Sequence, residues 1–383
     1  MKVKIISIEP TPSPHSMKIN VDECLDDGET FNYKMGDDLV DAPQYIQKLF
    51  NINGVHGIYR VIDFITIQRH PRTAWEDILP KVNDLLGGEA NESIEEIFAP
   101  SVQSGEEAFG EINVFIQEFR HIPMQVKVEE NNREKRFGLP ERFTEAAIEA
   151  SEASDNMLME RKWVEQSPRY GKIEEIGQEV VEELAASYDK ERLSNLVNSA
   201  FSNKTSNVVS EKQKYKVTLN MLDQPDWRDR YAALDRMDPE IDDLPVLDKA
   251  LEDDRSSLRR LATAYLGMIE EPEVLPYLYK ALKDKAVNVR RTAGDCLSDL
   301  GFTEAMPEMI LSLSDPNRLV RWRAAMFLYE VGDESAIPAL KTALNDPEFE
   351  VRMQVKMALD RIQEGKEAEG SIWHQMNQAT KQD

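Results

Sequence analysis

At 383 residues with a formal net charge of −25, the chain is long enough for two or three domains with cores of their own. Its 71 acidic against 46 basic side chains oppose wholesale affinity for nucleic acid or an anionic membrane, because both depend on Lys and Arg neutralising phosphates. Two cysteines, Cys24 and Cys296, make no disulfide framework, Glu9 and three prolines interrupt the opening stretch, and no run approaches about 18 consecutive apolar residues; together these place the chain in the cytoplasm.

Residues 1–88 read as a small α/β unit. Val3, Ile5 and Ile8 open a strand that Pro12 and Pro14 end, since each proline removes a ladder donor, and Met17 to Val21 resumes it. A helix over about Asp41–Phe50 follows. The run GVHGIYRVIDFITIQR then alternates as a hairpin turning near Ile62-Asp63, and Trp75 to Leu86 closes the unit as a helix stopped by Gly87-Gly88.

Residues 89–210 form an acidic middle region. Glu89 to Gly110 lacks apolar periodicity and reads as a linker. GEINVFIQEF and IPMQVKVE alternate as paired strands about the His121-Ile122-Pro123 bend, and from Pro140 to about Ala200 the pattern is helical, with Met157, Trp163 and Tyr170 as core residues. Asn203 to Ser210 is a polar break.

Residues 211–383 repeat with a period of 31. Trp227-Arg228, Leu258-Arg259, Val289-Arg290, Val320-Arg321 and Val351-Arg352 share one phase, as do Pro245, Pro276, Pro307 and Pro338, and Asp253, Asp284, Asp315 and Asp346. Such a period marks a solenoid. Each unit holds two helices: Val320, Ala324, Phe327, Leu328 and Val331 lie on one helical face, and Ile337, Leu340 and Leu344 on that of a shorter second helix. A helix pair of this size gains its stability by stacking on neighbours and needs capped ends. The in-phase arginines 228, 259, 290, 321 and 352 read as a ladder tying adjacent loops. The last helix, Val351 to Ile362, and the tail with Ile372 and Trp373 are expected to cap the array, so that residues 211–383 fold alone.

The repeat VRRTAGDCLSDLGFTEAMPEMILSLSDP resembles the short HEAT-like repeats of the phycobilisome-lyase type. EPTPSPHSMKI, APQYIQKLFNINGVHGIYRVIDFITI and WEDILP resemble the N-terminal domain of Nfu/NifU iron-sulfur scaffold proteins, and with MERKW, RYG and VRWRAAMF the whole chain resembles the conserved virulence factor C family of Gram-positive bacteria. The resemblance implies a cytoplasmic protein associated with virulence-linked gene expression, and it brings no catalytic residue. In the Nfu family the cluster is held by a Cys-x-x-Cys pair of a separate domain, which this sequence lacks, so the likeness implies a shape without its ligands.

The expected fold class is thus an α+β N-terminal domain followed by an α-helical HEAT-like solenoid with 31-residue repeats. No phosphate-binding glycine loop, nucleophile elbow or His-Glu-x-x-His motif is present, and no His lies between residues 122 and 373. Cys24, His15 and His56 are the candidate metal ligands, though without tight spacing. No cofactor is expected; an iron-sulfur cluster would require ligands shared with another chain or partner. The sequence points to a non-enzymatic adaptor that binds protein partners. An accessory role in iron-sulfur assembly, with assembly proteins as partners, and an enzyme with a site in the middle region are the alternatives. Arg260, Arg291 and Arg323, outside the strict repeat phase, are the candidate partner-binding residues, a basic strip for an acidic segment.

Overall fold

A computed structural model describes residues 3–11, 13, 15–26, 29–70, 73–87, 111–130, 133–201 and 215–365. The expected linker, the polar break and the tail residues Ile372 and Trp373 lie outside these. The described segments fall into two compact units, one formed by residues up to 109 together with those from 309 on, the other by residues 110–308.

In the first unit, strands β1 (Ile5–Pro10), β2 (Ser16–Val21), β3 (Thr30–Lys34), β4 (Val55–Val61) and β5 (Phe64–Arg69) form an antiparallel sheet in the order β1-β2-β5-β4-β3. Alternation buries Met17, Ile19 and Val21 on β2 and Ile65 and Ile67 on β5, against helices Gln44–Phe50 and Trp75–Leu86. The hairpin turns at Ile62-Asp63 as its sequence requires, with Ile62 at φ 46°. β3 adds to the strands that the sequence predicts; it pairs on the outer side of β4 as an edge strand that buries none of its residues. Arg60, fully buried, donates to the carbonyls of Ile62 (2.8 Å), Phe64 (3.2 Å) and Glu23, and so fastens this turn to the loop that carries Cys24.

The same unit contains the last repeats, helices Arg318–Val331, Ile337–Ala343 and Phe349–Gln363. Phe349 and Met353 of the final helix are buried in the core of the N-terminal sheet domain. Arg69 of β5 donates to Glu350 in a buried ion pair, and Arg352 reaches Glu76 at 3.4 Å. The end of the array is therefore covered by the N-terminal domain. This corrects the expectation that residues 211–383 are self-sufficient: alone, they would bare Phe349 and Met353.

In the second unit, β6 (Glu111–Phe119), β7 (Ile122–Glu130), β8 (Arg133–Gly138) and β9 (Lys162–Tyr170) make an antiparallel sheet in the order β8-β7-β6-β9. Arg120 and His121, both at positive φ (48° and 67°), form the two-residue β6–β7 turn. Helices Glu141–Ser151, Ile173–Ser187 and Lys190–Phe201 pack on one face through Phe143, Ile176, Val180 and Leu193. Gly177 is needed where it stands, because a Cβ there would lie 2.1 Å from the Phe137 ring. The helical reading of residues 140–200 is corrected at β9. KWVEQSPRY buries none of its residues and, among the described strands, pairs with β6 alone; the register shifts between Ile112 and Val114, opposite Arg169 and Gln166, so that Pro168 needs no donor.

The first repeats complete this unit. First helices start at Ser256, Val287, Arg318 and Phe349, 31 residues apart, whereas the opening helix Trp227–Leu234 starts 29 before Ser256. Gly267 permits close approach to the next first helix, since a Cβ there would meet Cys296 Sγ at 2.4 Å.

Candidate functional site

Arg259 and Arg321 form rungs of the expected ladder, and in the opening unit another arginine takes the place of Arg228. Arg259 donates from Nε and Nη2 to the carboxylate of Asp284 in the following unit (2.7 and 3.0 Å), and from Nη1 to the carbonyls of Asp253 and Asp254. Arg321 does the same with Asp346 (2.6 and 3.1 Å) and the Asp315 carbonyl. In the opening unit Arg230, not Arg228, grips Asp253 (2.6 and 3.0 Å). The late helix start explains it: Arg230, like Arg259, is the fourth residue of its helix, while Arg228 lies in the first turn with its side chain 54 % exposed. Arg352, in the last repeat helix among the described residues, reaches Glu76 of the N-terminal domain.

Arg260 and Arg291 lie in the second unit and Arg323 in the first, and each guanidinium has neighbours inside its own unit. Arg260 donates to Glu183 at 2.9 Å, and Arg291 lies 3.6 Å over the Tyr170 ring and 3.1 Å from Asp295. Arg323 sits beside the Trp322 ring and reaches the Met326 sulfur at 3.8 Å. Burial by itself would push the Glu183 carboxyl up, but Arg260 and Arg169 together hold it down at about 2. The two guanidiniums thus lock helix Ile173–Ser187 to β9 and to helix Ser256–Met268.

Beside that lock lies a cleft of about 480 Å³. One wall is helix Ile173–Ser187, which presents Glu175, Gln178, Glu179 and Glu182; the other is Trp227, Arg255 and Ser256. The carboxylates differ in how well they are compensated. Glu174, at one end, is met by Lys135 (3.2 Å) and Arg133 (3.3 Å). Glu179 has Arg169 only at 3.9 Å, and burial, with Glu183 beside it, raises its carboxyl above the usual range. Glu182 takes only a long hydrogen bond from the Gln178 amide at 3.5 Å. The sequence alone does not reveal this site, since a glutamate-rich helix face gains its meaning only from what stands across from it.

Of the candidate metal ligands, Cys24 stands apart from His15 and His56, which both lie beside the end of β5. His15 precedes β2 and Cys24 follows it, so the six residues of that strand hold them about 20 Å apart. His56 lies near His70, ring centroids 6.4 Å apart. Burial, then Arg69, Arg318 and His70, hold His15 down at about 3. Among the described residues no group of three or more His, Cys, Asp and Glu is placed to hold a metal ion. An iron-sulfur cluster held by this chain alone does not fit its thiols either: Cys24 is exposed on a loop and Cys296 is buried between helices.

Family models match three parts of the chain: scaffold protein Nfu/NifU N terminal over residues 6–92, virulence factor over 117–197, and HEAT repeats over 215–293 and 278–360. A Bacillus subtilis (strain 168) protein, YpgR, is 55 % identical over 380 residues, 99 % of each chain. Conserved virulence factor C of Staphylococcus haemolyticus is 42 % identical over 71 % of each chain, and that of Staphylococcus aureus strain MW2 is 40 % identical over the same share. Among solved structures, protein SAV1430 from Staphylococcus aureus is similar at 35 % identity over 21 % of this chain and 96 % of its own, with a TM-score of 0.20. With a sheet domain matching the Nfu/NifU N terminus, a middle domain matching the virulence factor model and helical HEAT repeats, the chain belongs to the conserved virulence factor C family.

Proposed function

We propose that the protein is a non-enzymatic adaptor, linked to virulence through its family, that binds protein partners on its helical repeats and the middle domain packed against them. The observation that carries this reading is how the repeat charges are used. Arg230, Arg259 and Arg321 are spent on carboxylates of the following unit. Such pairing between units builds a binding frame. The described histidines all lie outside the repeats. Cross-linking of the full chain in cell extract, followed by mass spectrometry, tests the reading: recurrent protein partners support it, and recovery of the chain alone at every cross-linker length refutes it.

The match of residues 6–92 to the Nfu/NifU N-terminal model favours a second reading, an accessory role in iron-sulfur assembly. Assembly proteins among the cross-linked partners would select it over a general adaptor.

A further inference from the structure

We infer that the cleft beside helix Ile173–Ser187 is a docking groove for an extended, lysine- or arginine-rich segment of a protein partner. The inference rests on the adaptor reading and names the chemistry of its partner. Glu175, Glu179 and Glu182 recur at i, i+4 and i+7, one face of the helix, and all three line the groove. At 1.5 Å rise per residue they are spaced by about 6 and about 4.5 Å along the axis. An extended chain places every second side chain on one side at about 6.6 Å. A segment with basic residues at alternate positions therefore sets one cation near each carboxylate.

The opposite wall suits the backbone of such a segment. There the Trp227 indole N–H, buried and without a hydrogen-bond partner among the described residues, and the Ser256 hydroxyl can donate to guest carbonyls. Arg255 lies over the Trp227 ring at 4.7 Å and completes that wall. A small cation would use only the glutamate wall. An acidic segment would meet Glu179, which has Arg169 at 3.9 Å, and Glu182, which has the Gln178 amide at 3.5 Å, and would be repelled.

The test is fluorescence anisotropy with a labelled heptapeptide of alternating lysine and serine, titrated with the full chain at physiological salt. Parent protein is compared with the triple variant Glu175→Gln, Glu179→Gln, Glu182→Gln. The control is Glu141→Gln, Glu145→Gln, Glu149→Gln, which removes three exposed carboxylates from another helix of the same unit. The cleft variant is expected to weaken binding about tenfold, the order for removing three partly exposed ion pairs at once, and the control less than about twofold. Equal weakening in both would reduce the effect to overall acidity and overturn the proposal. So would absence of binding to the parent, or spermine competing as well as the peptide does. Should the triple variant melt below the parent, Glu175→Gln alone, at an exposed position, carries the comparison with an expected loss of about twofold. Failure here leaves the adaptor reading to the cross-linking result, which does not depend on the groove.

Discussion

Asp284→Ala is the sharpest test of the ladder. The Asp284 carboxylate accepts two hydrogen bonds from Arg259, at 2.7 and 3.0 Å, and one from the Ala286 N–H at 2.7 Å. The side chains are 4 % exposed at Arg259 and 10 % at Asp284, so solvent cannot replace the missing carboxylate. Removing one partner of a buried pair costs about 3–5 kcal/mol, because the other charge stays buried. Arg259 keeps its bonds to the Asp253 and Asp254 carbonyls, at 2.8 and 3.1 Å, which favours the lower end, near 3 kcal/mol. With a urea m-value of about 2–3 kcal/mol/M for a unit of this size, the transition of the second unit should fall by roughly 1–1.5 M, read by circular dichroism. Adding Arg259→Leu removes the stranded charge and should recover part of the loss, which a double-mutant cycle measures.

The dependence on pH gives an independent check. Burial pushes the Asp284 carboxyl up, but the Arg259 guanidinium and the Ala286 N–H outweigh it and hold the group below its ordinary value. A carboxyl lowered on folding contributes stability that is complete above the unfolded value, about 3.9, and lost as pH falls through the lower folded one. The gap between parent and Asp284→Ala should therefore be constant above about pH 5 and close below about pH 4. A loss of less than about 1 kcal/mol at neutral pH, or a gap that closes toward high pH, would refute the account of the ladder as a buried, charge-assisted tie.

Phe349→Ala, at a side chain 4 % exposed in the core of the N-terminal domain, should destabilise the first unit by about 3–5 kcal/mol, seen as a lower melting temperature, although the residue belongs to the last repeat. Gly267→Ala should cost about 1–3 kcal/mol, because its Cβ would overlap Cys296 Sγ, and Cys296→Ala in the same chain should relieve part of that loss in a thermal melt. His15 is held at about 3 in the folded chain against 6.5 unfolded, so the unfolded state binds a proton that the folded state refuses. Stability should thus fall as pH drops from about 6.5 toward 3, by up to about 1.4 kcal/mol per unit, and His15→Asn should remove that component from urea midpoints measured across the range.

The parts legible in the sequence were those written in side chains that repeat or alternate. The 31-residue period fixed the helix pairs from Ser256 onward, and the apolar alternation around Ile62-Asp63 fixed the β4–β5 hairpin. What escaped was set by neighbours distant in sequence. Lys162–Tyr170 carries its charges at Lys162, Glu165 and Arg169, a spacing of three and four that suits a helix, and has no buried stripe, so its pairing with Glu111–Phe119 makes it a strand. Arg228 matched the repeat phase, but a helix that starts two residues late passed its role to Arg230. Arg260 looked superfluous to stacking because its partner, Glu183, is 77 residues away.

The final helix explains why the N-terminal domain and the end of the repeats belong to one unit. A terminal repeat is normally soluble because its outer face is polar. Helix Phe349–Gln363 does not have such a face: Val351, Val355, Ala358 and Leu359 are buried, and so are Phe349 and Met353, which enter the core of the N-terminal domain. Its buried polar groups follow the same logic. The Arg352 guanidinium, which in an inner unit would hold the next aspartate, is met by Glu76, and Glu350 is met by Arg69. Burial raises the Glu350 carboxyl and lowers the Arg69 guanidinium, so the pair stabilises only while both are present. The N-terminal domain thus supplies the apolar surface and the carboxylate that a further repeat would have brought. Any array lengthened beyond residue 363 would have to compete with it for the same helix face.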